Sequence, residues 1–135
     1  MKIIEVVAAV IFDSDNKILI ARRGPFKSFA GKWEFPGGKV EVGESHQVAL
    51  QRELLEEMNI STKVKTFIGT NNHQYDSFII NLHAYFTEYI SGEMKLTDHD
   101  LVEWVRFEDL GKYDFADADI PLLSKCNLRA KNETR

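Results

Sequence analysis

The sequence predicts a single domain of the α/β class, with a central mixed β-sheet covered by helices. Three observations lead to this prediction. The chain has 135 residues, which is enough for one domain. Several runs rich in β-branched and aromatic residues lie on both sides of one segment with helical periodicity. The resulting order of strands, helix, strands and helix is typical of a mixed sheet with helices on its faces, and we expect residues 1–135 to form one domain.

Three strands are predicted before the helical segment. Residues 3–12 are almost all Val, Ile and Ala, which is typical of a strand covered on both faces. A polar turn then leads into a second strand at 17–23, so these two strands are expected to form a hairpin. After a loop, a short strand at 33–35 should end at segment 36–38, which reads Pro-Gly-Gly.

The helix is predicted to begin at Ser45, whose hydroxyl can cap its N-terminus, and to end near Met58. A short final helix is expected to begin near Asp117 or Asp119. Between the two helices, three further strands are predicted from their β-branched and aromatic content: 64–75, 78–90 and 101–107.

One face of the first predicted helix carries three carboxylates. At about 100° per residue, Glu53, Glu56 and Glu57 fall within one arc of about 100°. Like charges at these spacings repel by about 0.2–0.5 kcal/mol per pair, so a purely solvated acidic face has a cost. Clustered oxygen ligands suit Mg²⁺ or Mn²⁺. Beside the acidic arc, the pattern places an apolar face formed by Val48, Leu50, Leu54, Leu55 and Met58.

Residues 38–60 resemble the Nudix box. Its pattern is Gly, five residues, Glu, seven residues, Arg-Glu, an aliphatic residue, any residue, Glu-Glu, any residue, Gly and an aliphatic residue. Asn59 stands where the family has Gly, and Asn tolerates the left-handed conformation in which helices often end, at a small expected cost in stability. The other fixed positions all match at the right spacing: Gly38, Glu44, Arg52, Glu53, Leu54, Glu56, Glu57 and Ile60.

The resemblance implies a Nudix-like α/β/α sandwich and a reaction. It implies metal-dependent hydrolysis of (d)NTPs to the nucleoside monophosphate and pyrophosphate, with Mg²⁺ or Mn²⁺ as cofactor. Glu53 is the first choice for the general base and Asp98 the second, because the family varies on this point. The family pattern assigns a catalytic role to Glu44, Arg52, Glu53, Glu56 and Glu57, and a metal-binding role to Gly37, Gly38, Glu53, Glu56, Glu57 and Asp98.

Segments outside the box are similar to the MutT-type, nucleotide-sanitising branch of the family. They include the strand end at Arg23, the run 33–39 and the loop that carries Asp98. The tail 118–123 resembles the CTP pyrophosphohydrolase subgroup, whereas MutT proper tends to carry Asn at the place of Asp119. We therefore expect CTP or oxidised dCTP to be favoured, with 8-oxo-dGTP as the alternative.

Four residues are candidates for contacts with a nucleoside triphosphate. The side chains of Arg23 and Lys39 carry charge suited to phosphates. Phe35 resembles a pocket residue of the family, and Asp119 can accept a hydrogen bond from the exocyclic amine of cytosine. A second interpretation makes Asp119 the N-cap of the final helix. Additional stacking surface is expected from Phe26, Tyr75 or Phe78.

The charge distribution is consistent with a metal-dependent enzyme. The formal net charge is −4, and residues 38–60 hold five acids and two bases, so −3 of it lies there. This acidity argues against a nucleic-acid polymer as partner and, with cations bound, allows a nucleoside triphosphate. No apolar run is long enough for a membrane, and Cys126 is the only cysteine, so we expect a cytoplasmic protein. Monomer and homodimer both stay open as its oligomeric state.

Other functions stay open from the sequence. ADP-ribose or dinucleoside polyphosphates are substrates of related enzymes, although the downstream proline associated with ADP-ribose hydrolases is absent. A non-catalytic nucleotide sensor is a further alternative, but sensors usually lose the carboxylates of the box. The simplest alternative is a structural domain whose acidic helix is only solvated.

Overall fold

The computed structural model describes residues 1–127. Within them the chain forms seven strands, one α-helix and two 3₁₀ helices. The strands are β1 (Lys2–Ile11), β2 (Ile18–Arg23), β3 (Trp33–Glu34), β4 (Gly37–Lys39), β5 (Ser61–Gln74), β6 (Phe78–Ser91) and β7 (His99–Val105). The α-helix, α1, spans His46–Met58, and the 3₁₀ helices span Phe107–Lys112 and Ile120–Lys125. No helix among these residues is long and apolar enough to cross a bilayer.

The strands form two sheets. The larger sheet has the order β4-β1-β6-β5 and is mixed, because β1 runs parallel to β6 and antiparallel to β4. The smaller sheet has the order β3-β2-β7 and is antiparallel. The mixed sheet that the sequence predicts is therefore present.

The hairpin predicted from the first two strands is wrong. The polar turn forms, since Asp13 Oδ1 accepts the N–H groups of Asp15 and Lys17, both at 2.9 Å. Beyond a single bridge between Phe12 and Ile18, however, β1 and β2 separate into different sheets. The reason is that β6 and β4 occupy the two edges of β1, and this pairing is not local in sequence.

The prediction for α1 is confirmed at both ends. The Ser45 hydroxyl accepts the N–H of Val48 at 3.2 Å, and Asn59 ends the helix in the left-handed conformation with φ of 58°. The Asn59 side chain also donates to the carbonyl of Glu93 at 2.9 Å. The apolar face is narrower than predicted, because Val48 and Leu55 are exposed; the buried residues are Ala49, Leu50, Leu54 and Met58.

Two further predictions need correction. The Pro-Gly-Gly segment does not simply end a strand, because Gly37 and Gly38 pair with β1 as the edge strand β4. A Cβ atom on Gly37 would overlap the carbonyl of Val7, so only glycine fits there. The final helix begins after Asp119 as expected, but it is a 3₁₀ helix.

The larger sheet separates two hydrophobic cores. Val7, Ala9 and Ile11 of β1 pack against α1. The intervening Ala8 and Val10 face the smaller sheet and the 3₁₀ helices. Because side chains alternate along a strand, β1 contributes to both cores. The edge strand β4, which pairs with β1, therefore has α1 on one face and the core that contains Ala8 and Val10 on the other.

Candidate active site

Arg52 is the centre of the acidic surface on α1. Its guanidinium donates two hydrogen bonds to Glu44, at 2.6 and 2.8 Å, and further bonds to Glu53 at 3.1 Å and Glu56 at 3.2 Å. A fifth bond reaches the carbonyl of Lys39 in β4 at 3.0 Å. Arg52 thus offsets the repulsion expected between Glu53 and Glu56, two members of the carboxylate arc. The Arg52 guanidinium, helped by the Glu41 N–H, lowers the pKa of Glu44 to about 2.

Glu53 lies directly over β4. A Cβ atom on Gly38 would overlap the Glu53 carboxyl group, so a glycine at this position is what lets the carboxyl group approach the backbone. The Glu53 side chain is only 14% exposed. Burial raises the pKa of Glu53, while the hydrogen bond from Arg52 opposes that shift.

Glu57 and Asp98 form a carboxyl pair at the other end of the acidic surface. Burial, followed by the adjacent Asp98, raises the pKa of Glu57 to about 7, while the pKa of Asp98 is lowered. Asp98 also forms an ion pair with Lys27 at 2.8 Å. Asp98 is therefore the more acidic member of the pair, and Glu57 is the member that favours the protonated form.

The donor set around α1 fits a hard divalent cation. Glu57 Oε2 is buried and has no hydrogen-bond partner among residues 1–127, and Glu53 is held against the glycine backbone of β4. All available ligands are oxygens, which Mg²⁺ and Mn²⁺ prefer. Within the described part of the chain, no three acidic, His or Cys side chains converge into a ready metal cage. Arg52 draws Glu53 and Glu56 together, whereas Glu57 turns towards Asp98.

An open cavity of about 390 Å³ lies on the opposite side of β4. Its apolar wall comes from β1 and β6 of the larger sheet, and its polar wall comes from Arg23, Glu34 and Asp119. All three residues of β4 also line it. One edge strand therefore borders both the cavity and the acidic surface. The apolar wall consists of Ile4, Val6, Phe78, Ile80 and Leu82.

Asp119 is a buried acid at the polar end of this cavity. Its Oδ2 accepts the N–H of Phe35 at 2.9 Å, and only 6% of the residue is exposed. Burial, reinforced by the nearby Glu34, raises the pKa of Asp119 well above its usual range. Asp119 occupies the N-cap position of the second 3₁₀ helix, but its side chain makes no capping hydrogen bond. The carboxyl group is directed to the cavity wall instead.

The other predicted substrate contacts differ in their position. Phe35 lines the cavity but is 3% exposed and packs on Phe115, with ring centroids 5.4 Å apart. Lys39 is exposed at the rim, whereas Arg23 donates to the carbonyl of Ser28 at 2.6 Å and to Glu34 at 3.2 Å. Part of the hydrogen-bonding capacity of the Arg23 guanidinium is thus occupied by Ser28 and Glu34 and is not available to a phosphate.

The aromatic residues named from the sequence are divided by the fold. Tyr75 and Phe78 line the cavity, but Phe26 is 98% exposed and does not. Phe29, which the sequence reasoning missed, lines it and packs on Tyr75 at 5.0 Å between centroids. Glu34 was also missed; the signal available in the sequence was a charged residue between two aromatic residues, Trp33 and Phe35.

Residues 2–126 match the NUDIX domain family. This match covers most of the chain, and the chain therefore belongs to the Nudix hydrolase family. The fold prediction and the resemblance based on residues 38–60 are both confirmed by it and by the relatives below.

The similarity extends to individual members. The CTP pyrophosphohydrolase of Escherichia coli (strain K12) is 43% identical over 123 residues, which cover 91% of this chain and 90% of that protein. The 8-oxo-dGTP diphosphatase of the same organism is 31% identical over 125 residues, covering 93% and 97%. Among solved structures, the E. coli ORF135 protein matches with a TM-score of 0.80 at 40% identity, covering 100% of this chain and 94% of that one. The MutT protein of Methanosarcina mazei Go1 matches with a TM-score of 0.86 at 26% identity, covering 96% of each chain.

Proposed function

We propose that the protein is a metal-dependent nucleoside triphosphate pyrophosphohydrolase that favours CTP or oxidised dCTP and releases the monophosphate and pyrophosphate. One observation supports this most: β4 borders the cavity on one side and the acidic surface on the other. Gly38 contacts Glu53, and the Lys39 carbonyl accepts from Arg52, while both residues line the cavity. A nucleotide with its base in the cavity brings its phosphates past β4 to the carboxylates.

The residues of the acidic surface have distinct proposed roles. Glu53, Glu56, Glu57 and Asp98, with a carbonyl of Gly37 or Gly38, are the proposed ligands of Mg²⁺ or Mn²⁺. When bound, the cation neutralises phosphate charge and activates water. Glu53 remains the first choice for general base because its carboxyl group lies against the glycine backbone of β4 and burial raises its pKa; Asp98 remains the second. Arg52 orients Glu53 and Glu56, and Glu44 holds Arg52 in place.

Phosphate binding is proposed for Lys39 and Arg23, which both line the cavity.

We also propose that residues 1–135 form one domain that acts in the cytoplasm as a monomer or homodimer. Its substrates are free nucleotides and not a nucleic-acid polymer. The acidic total charge supports the last point, since a polymer-binding surface of this size is usually basic.

A turnover screen tests the proposal. Wild-type protein with Mg²⁺ is expected to release pyrophosphate from CTP and 5-hydroxy-dCTP, and Glu53→Gln should lower kcat by about 10³-fold or more. Glu88→Gln, a surface change on β6, is the matched control and should behave as wild type. An inactive wild type against a broad panel, including ADP-ribose and dinucleoside polyphosphates, would contradict the proposal and favour a sensor or a structural domain.

The alternative substrate, 8-oxo-dGTP, has an observation in its favour. Burial raises the pKa of Asp119 well above its usual range, which favours the protonated carboxyl group; in that form it can donate to guanine O6 as well as to cytosine N3. The 31% identical relative is an 8-oxo-dGTP diphosphatase.

Asp119→Asn tests which base the cavity prefers. MutT proper tends to carry Asn at this place, so we expect the ratio of kcat/KM for CTP over 8-oxo-dGTP to fall by about tenfold. An unchanged ratio would show that the exchange of acid for amide at position 119 does not set the base preference.

A further inference from the structure

His99 is a buried polar residue that the proposed chemistry does not use. Its side chain is 3% exposed, and its Nε2 lies 2.8 Å from Glu34 Oε2. Its Nδ1 is buried and has no partner within residues 1–127. Burying an imidazole with one nitrogen unpaired costs stability that an aliphatic residue at the same place would avoid. Packing alone therefore does not explain a histidine here, and in the described part of the chain the side-chain hydrogen bond of His99 is with Glu34.

Glu34 is held from two sides in the polar wall of the cavity. Arg23 Nη1 approaches its two carboxylate oxygens at 3.2 and 3.4 Å, and His99 Nε2 donates to Oε2. The three residues come from three neighbouring strands, since Arg23 pairs with His99 across β2 and β7 while β3 carries Glu34. An acidic side chain fixed in this way presents its free lone pairs in one direction.

The backbone that carries His99 is itself anchored. The carbonyl of Asp98 accepts the N–H of Gly24 at 3.0 Å, and the Asp98 side chain binds Lys27 at 2.8 Å. The imidazole therefore extends from a fixed point at the start of β7. The Glu34 side chain can therefore adopt few conformations that keep its hydrogen bond to His99.

We propose that His99 is a positioning residue that holds Glu34 as a hydrogen-bond acceptor for an amino-bearing base in the cavity. The clamped carboxylate can accept from the amino group of cytosine but is mismatched with the carbonyl oxygen that uracil has at the same place. This inference rests on the proposed function in one respect, that the cavity binds the base of a nucleotide. Its consequence for binding does not require that the protein hydrolyses anything.

The test measures binding of CMP and UMP by calorimetry without metal. Wild type should prefer CMP, and His99→Leu should reduce that preference by about tenfold, as expected for losing one well-placed charge-assisted bond. His99→Gln, whose amide nitrogen reaches about as far as Nε2, should restore most of the preference. His83→Leu is the matched control, because His83 also contacts a glutamate, Glu5 at 2.7 Å, but stacks on His46 at α1.

A double-variant cycle separates positioning from a merely structural effect. Glu34→Gln alone should abolish the preference, and adding His99→Leu should change it no further, because both changes remove the same acceptor. Thermal unfolding checks the fold of each variant. If His99→Leu does not fold, the contrast between His99→Gln and Glu34→Gln carries the test.

Several outcomes overturn the inference. They are a wild type without preference for CMP, a His99→Leu variant that keeps the preference, and loss of it in His83→Leu. Failure of the proposed function gives a different result: no pyrophosphate release from any triphosphate while the preference for CMP and its dependence on His99 remain.

Discussion

The acidic surface of α1 and the polar wall of the cavity use the same residue types in opposite ways. On α1, Arg52 compensates three glutamates, and the pKa of Glu44 falls to about 2. In the cavity, burial raises the pKa of Asp119 well above its usual range. The guanidinium therefore keeps Glu44 ionised as its own partner, whereas burial without a cation in direct contact favours the protonated form of Asp119.

The largest effect is expected when Arg52, the side chain that three glutamates share as a hydrogen-bond donor, is replaced. In Arg52→Met, the three carboxylates lose their common partner and Glu53 loses its orientation. We expect kcat to fall by about 10–100-fold, as for other residues that orient ligands. Arg22→Met is the matched control, since Arg22 forms an exposed pair with Asp100 at 2.8 Å, and near-wild-type turnover is expected. Equal losses in both variants would contradict a special role for Arg52.

A smaller effect is expected from titration of the Glu57–Asp98 pair, and it concerns the thermal stability of the protein and not its turnover. The pKa of Glu57 is about 7 in the folded protein and 4.5 as its ordinary value, so folding favours its protonated form. The stabilisation is complete below about pH 4.5 and is lost as the pH rises through about 7. Thermal unfolding of the metal-free protein should therefore show a fall in Tm between these values.

Glu57→Gln is the variant that sharpens this expectation. It carries no ionisable group at position 57, so its Tm should vary less than that of wild type between about pH 4.5 and 7. Adding Mg²⁺ at pH 8 should raise the Tm of wild type more than that of the variant, because mass action favours the form that binds. Identical pH profiles for the two proteins would rule out the raised pKa.

The smallest expected effect concerns Cys126, which lies in the core on the cavity side. It is fully buried, and burial raises the pKa of its thiol to about 12. We expect no reaction with a maleimide in the native protein and full reaction in urea. Rapid native labelling would show that this core opens and would contradict the buried placement of Cys126.

The sequence predicts the α1 side better than the cavity side for a physical reason. Spacing within one helix determines which side chains are neighbours, so the arc of Glu53, Glu56 and Glu57 follows from the residue numbers. The caps at Ser45 and Asn59 are equally local, and both are confirmed.

The cavity depends on contacts between distant segments. The parallel pairing of β1 with β6 joins residues more than 70 positions apart, and it displaces the hairpin that local alternation favours. Glu34 and His99 are 65 positions apart, and although Glu34 lies in the family-like run 33–39, nothing in that run indicates its contact with His99. The direction of the Asp119 side chain, towards Phe35 rather than its own helix, also depends on tertiary packing.

Asn59 shows how a departure from a family pattern can be compensated. Glycine fits its left-handed φ without strain, but glycine also gives the unfolded chain more freedom to lose on folding. Asparagine restricts that freedom and adds a tether, because its side chain binds the Glu93 carbonyl in the segment that leads to β7. The same segment is tied to the helix end by the N–H groups of Lys95 and Thr97, which donate to Met58 and Glu57. Asn59 thus adds a hydrogen bond between the end of α1, which carries Glu53, Glu56 and Glu57, and the segment that leads to Asp98.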